Sequence, residues 1–223
     1  MTRSRSRGAT RAGLLQTLVL LGCSLVDPLG QAESGSNGNS GSLSCDLDNR
    51  YLSLTAAPKD GIPALSDPVW VAADHPTHVW FLRDSHRVVG FVVGGEPYAV
   101  PLNVLRYHEI VNATFETDGG LLDLAVTHCP LTGSSMVFDR AAAGGAEFGV
   151  SGILYQSNLV MYDRNTSESL WPQMVAGARC GAARGTALPL FPSIEMTWRG
   201  WVTLYPGTRV LGGPPEGPGA GSR

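Results

Sequence analysis

Charge is scarce in this 223-residue sequence: Asp, Glu, Lys and Arg make up 16% of it, and aromatic residues only 8%. A formal net charge of −3 excludes a generally basic nucleic-acid binder, which needs clustered positive charge to neutralise phosphates. No internal repeat is present. Beyond the N-terminal stretch, no apolar run reaches the roughly 20 residues of a membrane-spanning helix. G-x-S-x-G is missing, so no standard nucleophile elbow marks a hydrolase. H-E-x-x-H is missing too: position 112, where a zinc protease needs its second His, is Asn. What is abundant is glycine and proline, 28 and 15 residues, which favours short strands and turns over helices.

The N-terminus has a different character. Arg3, Arg5, Arg7 and Arg11 precede an apolar run from Leu14 to Leu21, and no acid occurs before Asp27. A basic region followed by a short apolar one reads as a secretory signal over residues 1–22. Leu20-Leu21-Gly22-Cys23 resembles a bacterial lipobox, with Cys23 as the lipidated first residue of the mature chain. The alternative is ordinary cleavage after Ala32 in Gly30-Gln31-Ala32, giving a secreted protein. Residues 34–44, SGSNGNSGSLS, form the polar linker expected between a lipid and a folded body, which favours the lipobox. The expected location is outside the cytoplasm, with the membrane as partner through an N-terminal lipid and no nucleic-acid partner. From Glu33 onward 18 acidic residues face 12 basic ones, an anionic balance that argues against broad binding of acidic polymers.

Residues 23–59 then form the lipidated Cys, linker and lead-in segment, 60–211 the body, and 212–223 (GGPPEGPGAGSR) a disordered tail. Hairpins are expected at Val88–Leu102 around Gly94-Gly95, and at Thr114–Thr127 around Asp118-Gly119-Gly120. Ser135–Asp139 and Glu147–Val150 read as strands flanking Gly144-Gly145, with further strands at Leu159–Tyr162 and Ala187–Leu190. Leu102–Ile110 and Glu195–Leu204 have helical spacing. The fold class is therefore β-rich α+β, a single domain of antiparallel hairpins with a few short helices.

Four segments are dense in polar and sulfur chemistry: His108–Asn112, His128–Gly133, Ser151-Gly152 with Ser157-Asn158, and Asp163 through Gln173. Cys23 is consumed by processing, so Cys45, Cys129 and Cys180 leave an odd thiol in an oxidising compartment. Cys129 ends an apolar strand before Pro130, where it is either a small buried hydrophobe or a functional thiol. His128 adjoins it but points to the opposite face of a continuing strand. His108, beside Glu109, is the better partner. Asn112, Ser151, Asn158, Asp163 and Gln173 are site candidates that also suit turn and loop fastening. Met136, Met161 and Met174 suit soft metals, and equally well fill a core.

The strings HEIVN, CPLTGS, SGILYQSNLVMYDRNTSESLWPQ (Ser151–Gln173) and WRGWVTLYPGTRVL resemble the bacterial and archaeal family catalogued as domain of unknown function 3179, over about Asp60 to Leu211. Some members of that family carry CPLC. Here Thr132 replaces the second Cys, which removes a local C-x-x-C redox couple. The resemblance places Cys129 inside a motif, so it implies a Cys45–Cys180 disulfide with Cys129 free. Two functions are expected to compete. One is a lipid-anchored binding module handling a soft, copper-type metal or thiol chemistry, with Cys129 and His108 as ligands. The other is a hydrolase or acyl transferase with Cys129 as nucleophile, His108 as base and Glu109 or Asn112 orienting it. A non-catalytic protein-interaction module is the third, blander reading.

Overall fold

A computed structural model describes residues 45–75, 79–165 and 169–213. The expected signal, lipobox, linker and most of the tail lie outside the described residues. The described chain is β-rich α+β, built as three stacked sheets with a helix on one outer face.

The central sheet contains β2 (Leu65–Ser66), β6 (Ile110–Thr117), β7 (Gly120–Cys129) and β8 (Ser134–Asp139), in the order β2-β6-β7-β8. One flanking sheet is β1-β9-β10-β11, from Leu52–Leu54, Phe148–Tyr155, Asn158–Asp163 and Leu170–Pro172. The other is β12-β4-β5-β13-β3, from Ser193–Thr197, Arg87–Val93, Glu96–Pro101, Arg209–Leu211 and Trp70–Ala72. Most pairings are antiparallel; β2–β6 and β5–β13 are parallel.

Strand alternation fills both interlayers from the central sheet. Val111, Ala113, Phe115, Leu124, Val126 and Val137 face β4 and β5, meeting Val89, Phe91, Val93, Tyr98 and Val100. Ile110, Ala125, Cys129 and Phe138 face the opposite way, onto Phe148, Val150, Leu159, Met161 and Trp171. Because the central sheet is covered on both sides, its strands read as near-continuous apolar runs. The helix α2 (Trp198–Leu204) lies outside the β4–β5 face, its Trp201 packed on Val88, Ala99 and Val210. Gly90 leaves the room for it: a β-carbon there would overlap the Trp201 indole.

Local differences from the sequence reading have identifiable causes. The helix expected from Glu195 starts only at Trp198, because Ser193–Thr197 pair with β4 as the edge strand of its sheet and Thr197 Oγ1 caps the helix by accepting from the Gly200 N–H at 3.2 Å. Ala187–Leu190 forms isolated bridges to Gly177 and Phe138 instead of a strand. The strands around Gly144-Gly145 do not pair with each other; β8 joins the central sheet and β9 a flanking one. The helical piece is α1 (Leu102–His108), ended by Glu109 in the left-handed conformation, φ 56°. From Ile110 the chain is strand, so the second hairpin is longer than its Thr114 start implied.

The Cys45–Cys180 disulfide is formed and Cys129 is a free, buried thiol. No described helix is long and apolar enough to cross a membrane.

Candidate functional site

The β7–β8 hairpin carries the Cys129-Pro130-Leu131-Thr132-Gly133-Ser134 motif at its tip. Cys129 and Ser134 are paired, and the Gly133 N–H closes the turn onto the Cys129 carbonyl at 2.9 Å. Gly133 has φ 63°, which a β-carbon would resist. Pro130 to Gly133 are exposed, whereas Thr127 and Cys129, two residues apart on one strand face, are buried toward the β9–β10 layer.

On that face two amides converge with the hairpin. Gln173 follows β11 and is fully buried. Its Nε2 donates to Thr127 Oγ1 at 2.8 Å and to the Ser134 carbonyl at 3.3 Å; its Oε1 accepts from Ser134 Oγ at 2.8 Å. Asn158 begins β10 after Gln156 and Ser157, a two-residue turn with both φ positive, as a tight twisted hairpin requires. Its Nδ2 reaches Thr132 Oγ1 at 2.8 Å, Ser134 Oγ at 2.9 Å and Gln173 Oε1 at 3.0 Å. Asn158 Oδ1 is buried without a hydrogen-bond partner. Three motif segments far apart in sequence thus meet in one uncharged network beside Cys129.

The other candidates separate from it. Asn112 holds the Phe148 peptide from both sides, donating to its carbonyl and accepting from its N–H, each at 2.9 Å, and so ties the central sheet to β9. Ser151 Oγ donates to the Val160 carbonyl and accepts from the Ile153 N–H, fastening an irregularity in the β9–β10 pairing. Asp163 accepts from the Trp171 indole N–H at 2.8 Å. These three hydrogen-bond sets brace the sheets.

His108 is buried at the end of α1, and its Nδ1 donates to the Pro63 carbonyl at 2.8 Å. The backbone, rather than Glu109, therefore orients the imidazole, with Nδ1 as its donor. Ile62 and Ala64, on either side of Pro63, pack on the same apolar layer as Cys129. Yet no hydrogen bond joins the Cys129 thiol to His108 among the described residues. The half-buried Glu109 carboxyl has no hydrogen bond either, and burial pushes it up to about 7. Among the described residues no three His, Cys, Asp or Glu side chains are grouped to hold a metal ion. Cys129 with His108 therefore lacks the third ligand of a zinc or blue-copper site.

A further polar chain lies on the opposite face of β7 and was not foreseen. His128 Nδ1 donates to Ser135 Oγ at 2.9 Å, and Ser135 donates to Glu195 Oε2 at 2.8 Å. Glu195 Oε1 pairs with Arg87 Nε at 2.6 Å. Burial holds His128 below its usual range, although nearby Glu195 opposes this. Its partners come from β8, β12 and β4, so no local pattern could disclose them. Thr127, Thr132 and Ser134 were missed as well. The signal for Thr127 and Ser134 was a polar residue on the inward face of an otherwise apolar hairpin, whereas Thr132 lies in its exposed turn.

A separate open cleft of about 440 Å³, lined by Ala72, Asp74, Trp198 and Val202 among others, lies between β3 and α2 and contains none of the motif residues.

The family described as protein of unknown function DUF3179 has a profile that matches residues 59–218, spanning all four motif segments. The chain belongs to this family. No curated protein and no solved structure matches it. For this DUF3179 member, function has to be argued from the site itself.

Proposed function

We propose that this DUF3179 protein is a lipid-anchored binding module outside the cytoplasm, with its ligand site at the β7–β8 hairpin beside Cys129. The observation that carries the reading is the convergence of Thr132, Ser134, Asn158 and Gln173 in one uncharged network that runs from the exposed turn down to two buried amides. Polar groups at such depth are normally saturated internally, and this network keeps one acceptor open. The disulfide is compatible with an oxidising compartment. The Arg-rich start, the lipobox at Cys23 and the polar linker supply the anchor.

Two rival chemistries fit less well. A Cys nucleophile needs a base within hydrogen-bond reach, and Cys129 has no such contact while lying 2% exposed among apolar side chains. A soft-metal site on Cys129 and His108 lacks a third ligand. The ligand is therefore taken to be organic.

The test is side-chain amide NMR on the protein, titrated with neutral probes: acetone, isopropanol, N,N-dimethylacetamide and N-methylacetamide. At least one is expected to move the Asn158 and Gln173 side-chain signals saturably. Unmoved signals, with copper(I) held at one equivalent and lost in Cys129→Ser, would replace this reading with the metal one.

A further inference from the structure

Counting hydrogen-bond valences in the network defines what it lacks. Gln173 is complete: its two N–H bonds go to Thr127 Oγ1 and the Ser134 carbonyl, and its oxygen accepts from Ser134 and Asn158. Ser134 spends its only proton on Gln173, so in the 2.9 Å contact between Thr132 Oγ1 and Ser134 Oγ it is Thr132 that donates. The two Asn158 protons have three acceptors within 3.0 Å. Every donor is thus committed. Asn158, 5% exposed, keeps an oxygen with no donor.

Resting on the binding-module reading above, we infer that this site takes a neutral hydrogen-bond donor, an amide N–H, onto Asn158 Oδ1. An anion is excluded, because it brings only acceptors to a network with no donor to spare. An ammonium ion is disfavoured, because no carboxylate belongs to the network and a buried cation needs one. An amide also matches the surroundings. Leu131 and Met174, 69% and 58% exposed, are the chain neighbours of Thr132 and Gln173 and offer apolar surface next to the polar opening. Access requires the turn Pro130–Gly133 to lift, since Thr132 Oγ1 lies 2.8 Å from the Asn158 amide. This turn is exposed on all four residues, and a donor arriving beneath it satisfies an acceptor that is otherwise desolvated for nothing.

An amide donor reaches the site either as a small molecule or as a peptide backbone, and the two are separable. The experiment compares N-methylacetamide, which has one N–H, with N,N-dimethylacetamide, which has the same carbonyl and none, on the wild-type protein by the Asn158 side-chain signals. N-methylacetamide is expected to bind at least about fivefold more tightly, the equivalent of one net hydrogen bond. N-acetyl-trialanine N-methylamide, which is uncharged, binding more tightly still assigns a peptide ligand; its binding no better assigns a small amide. Both outcomes support a donor. Equal or tighter binding of dimethylacetamide, or of acetone, overturns the donor assignment while leaving the binding site in place. If no probe moves these signals and a long-lived buried water is found cross-relaxing with Asn158, the open valence belongs to that water and the inference fails. Followed by the Gln173 side-chain signals, Asn158→Leu should abolish the difference between the two amides. Should that variant not fold, the wild-type comparison decides alone.

Discussion

Glu109 concentrates two unfavourable features at one position. Its backbone is left-handed at the end of α1, where glycine is the usual occupant, and its half-buried carboxyl has no partner among the described residues. The folded protein holds the carboxyl at about 7 against an ordinary 4.5. Between those values the native state binds more protons than the unfolded one, so this group's contribution to stability is fully present below pH 4.5 and is lost as pH rises to 7. Glu109→Gln should remove this loss, leaving the variant about 3 kcal/mol more stable than wild type at pH 8 and little changed at pH 4. Urea titrations at the two pH values check this; a gain independent of pH would contradict it. Glu109→Gly should be about 1 kcal/mol more stable than Glu109→Gln at both pH values, because it also relieves the backbone. His128 acts with the opposite sign. Its pKa is lowered in the fold, so it erodes stability as pH falls below 6.5.

At the scale of elements, the sheets are joined by a few buried polar clamps as well as by apolar interlayers. Arg140, 3% exposed, donates to the carbonyls of Leu124 and Gly145 at 3.1 and 2.7 Å and reaches that of Ala113 at 3.4 Å. Arg140→Leu should cost on the order of 3 kcal/mol in urea unfolding, because these carbonyls lose their donor and Asp123 its cation. Gly90→Ala should cost about 1–3 kcal/mol by forcing the Trp201 indole off β4, and the near-ultraviolet circular dichroism of the tryptophan should change with it. The sequence discloses elements where the signal is local. Gly94-Gly95 and Asp118-Gly119 announce their hairpins, and the β-branched run at Val88–Val93 announces its strand. It conceals elements fixed by distant partners. Ser193–Thr197 is extended because it pairs along β4 as the outermost strand of that sheet, and Ala187–Leu190 only touches its neighbours singly. The same division holds at the site. Asn158 and Gln173 could be picked out from their motifs, but their convergence with Thr127, Thr132 and Ser134 depends on how two sheets stack.

For the whole molecule, the lead-in segment is stapled to the body. Cys45 and Cys180 are 135 residues apart, and Arg184 pairs with Asp46 at 2.7 Å beside the bridge. Reduction should lower stability by about 2–5 kcal/mol, read as a lower urea midpoint in dithiothreitol that Cys180→Ser reproduces. Mass spectrometry of the mature protein should find Cys23 lipidated at the N-terminus; an unmodified start at Glu33 would make it a freely secreted protein. On the proposed reading, the Pro130–Gly133 turn is the recognition element of a body tethered outside the cytoplasm. The most direct measurement of that claim is a high-resolution crystal structure of the protein soaked with N-methylacetamide. The account predicts the amide nitrogen within hydrogen-bond distance of Asn158 Oδ1, with the turn displaced from its closed position. A closed turn, with the amide absent or seated only in the cleft between β3 and α2, would contradict it.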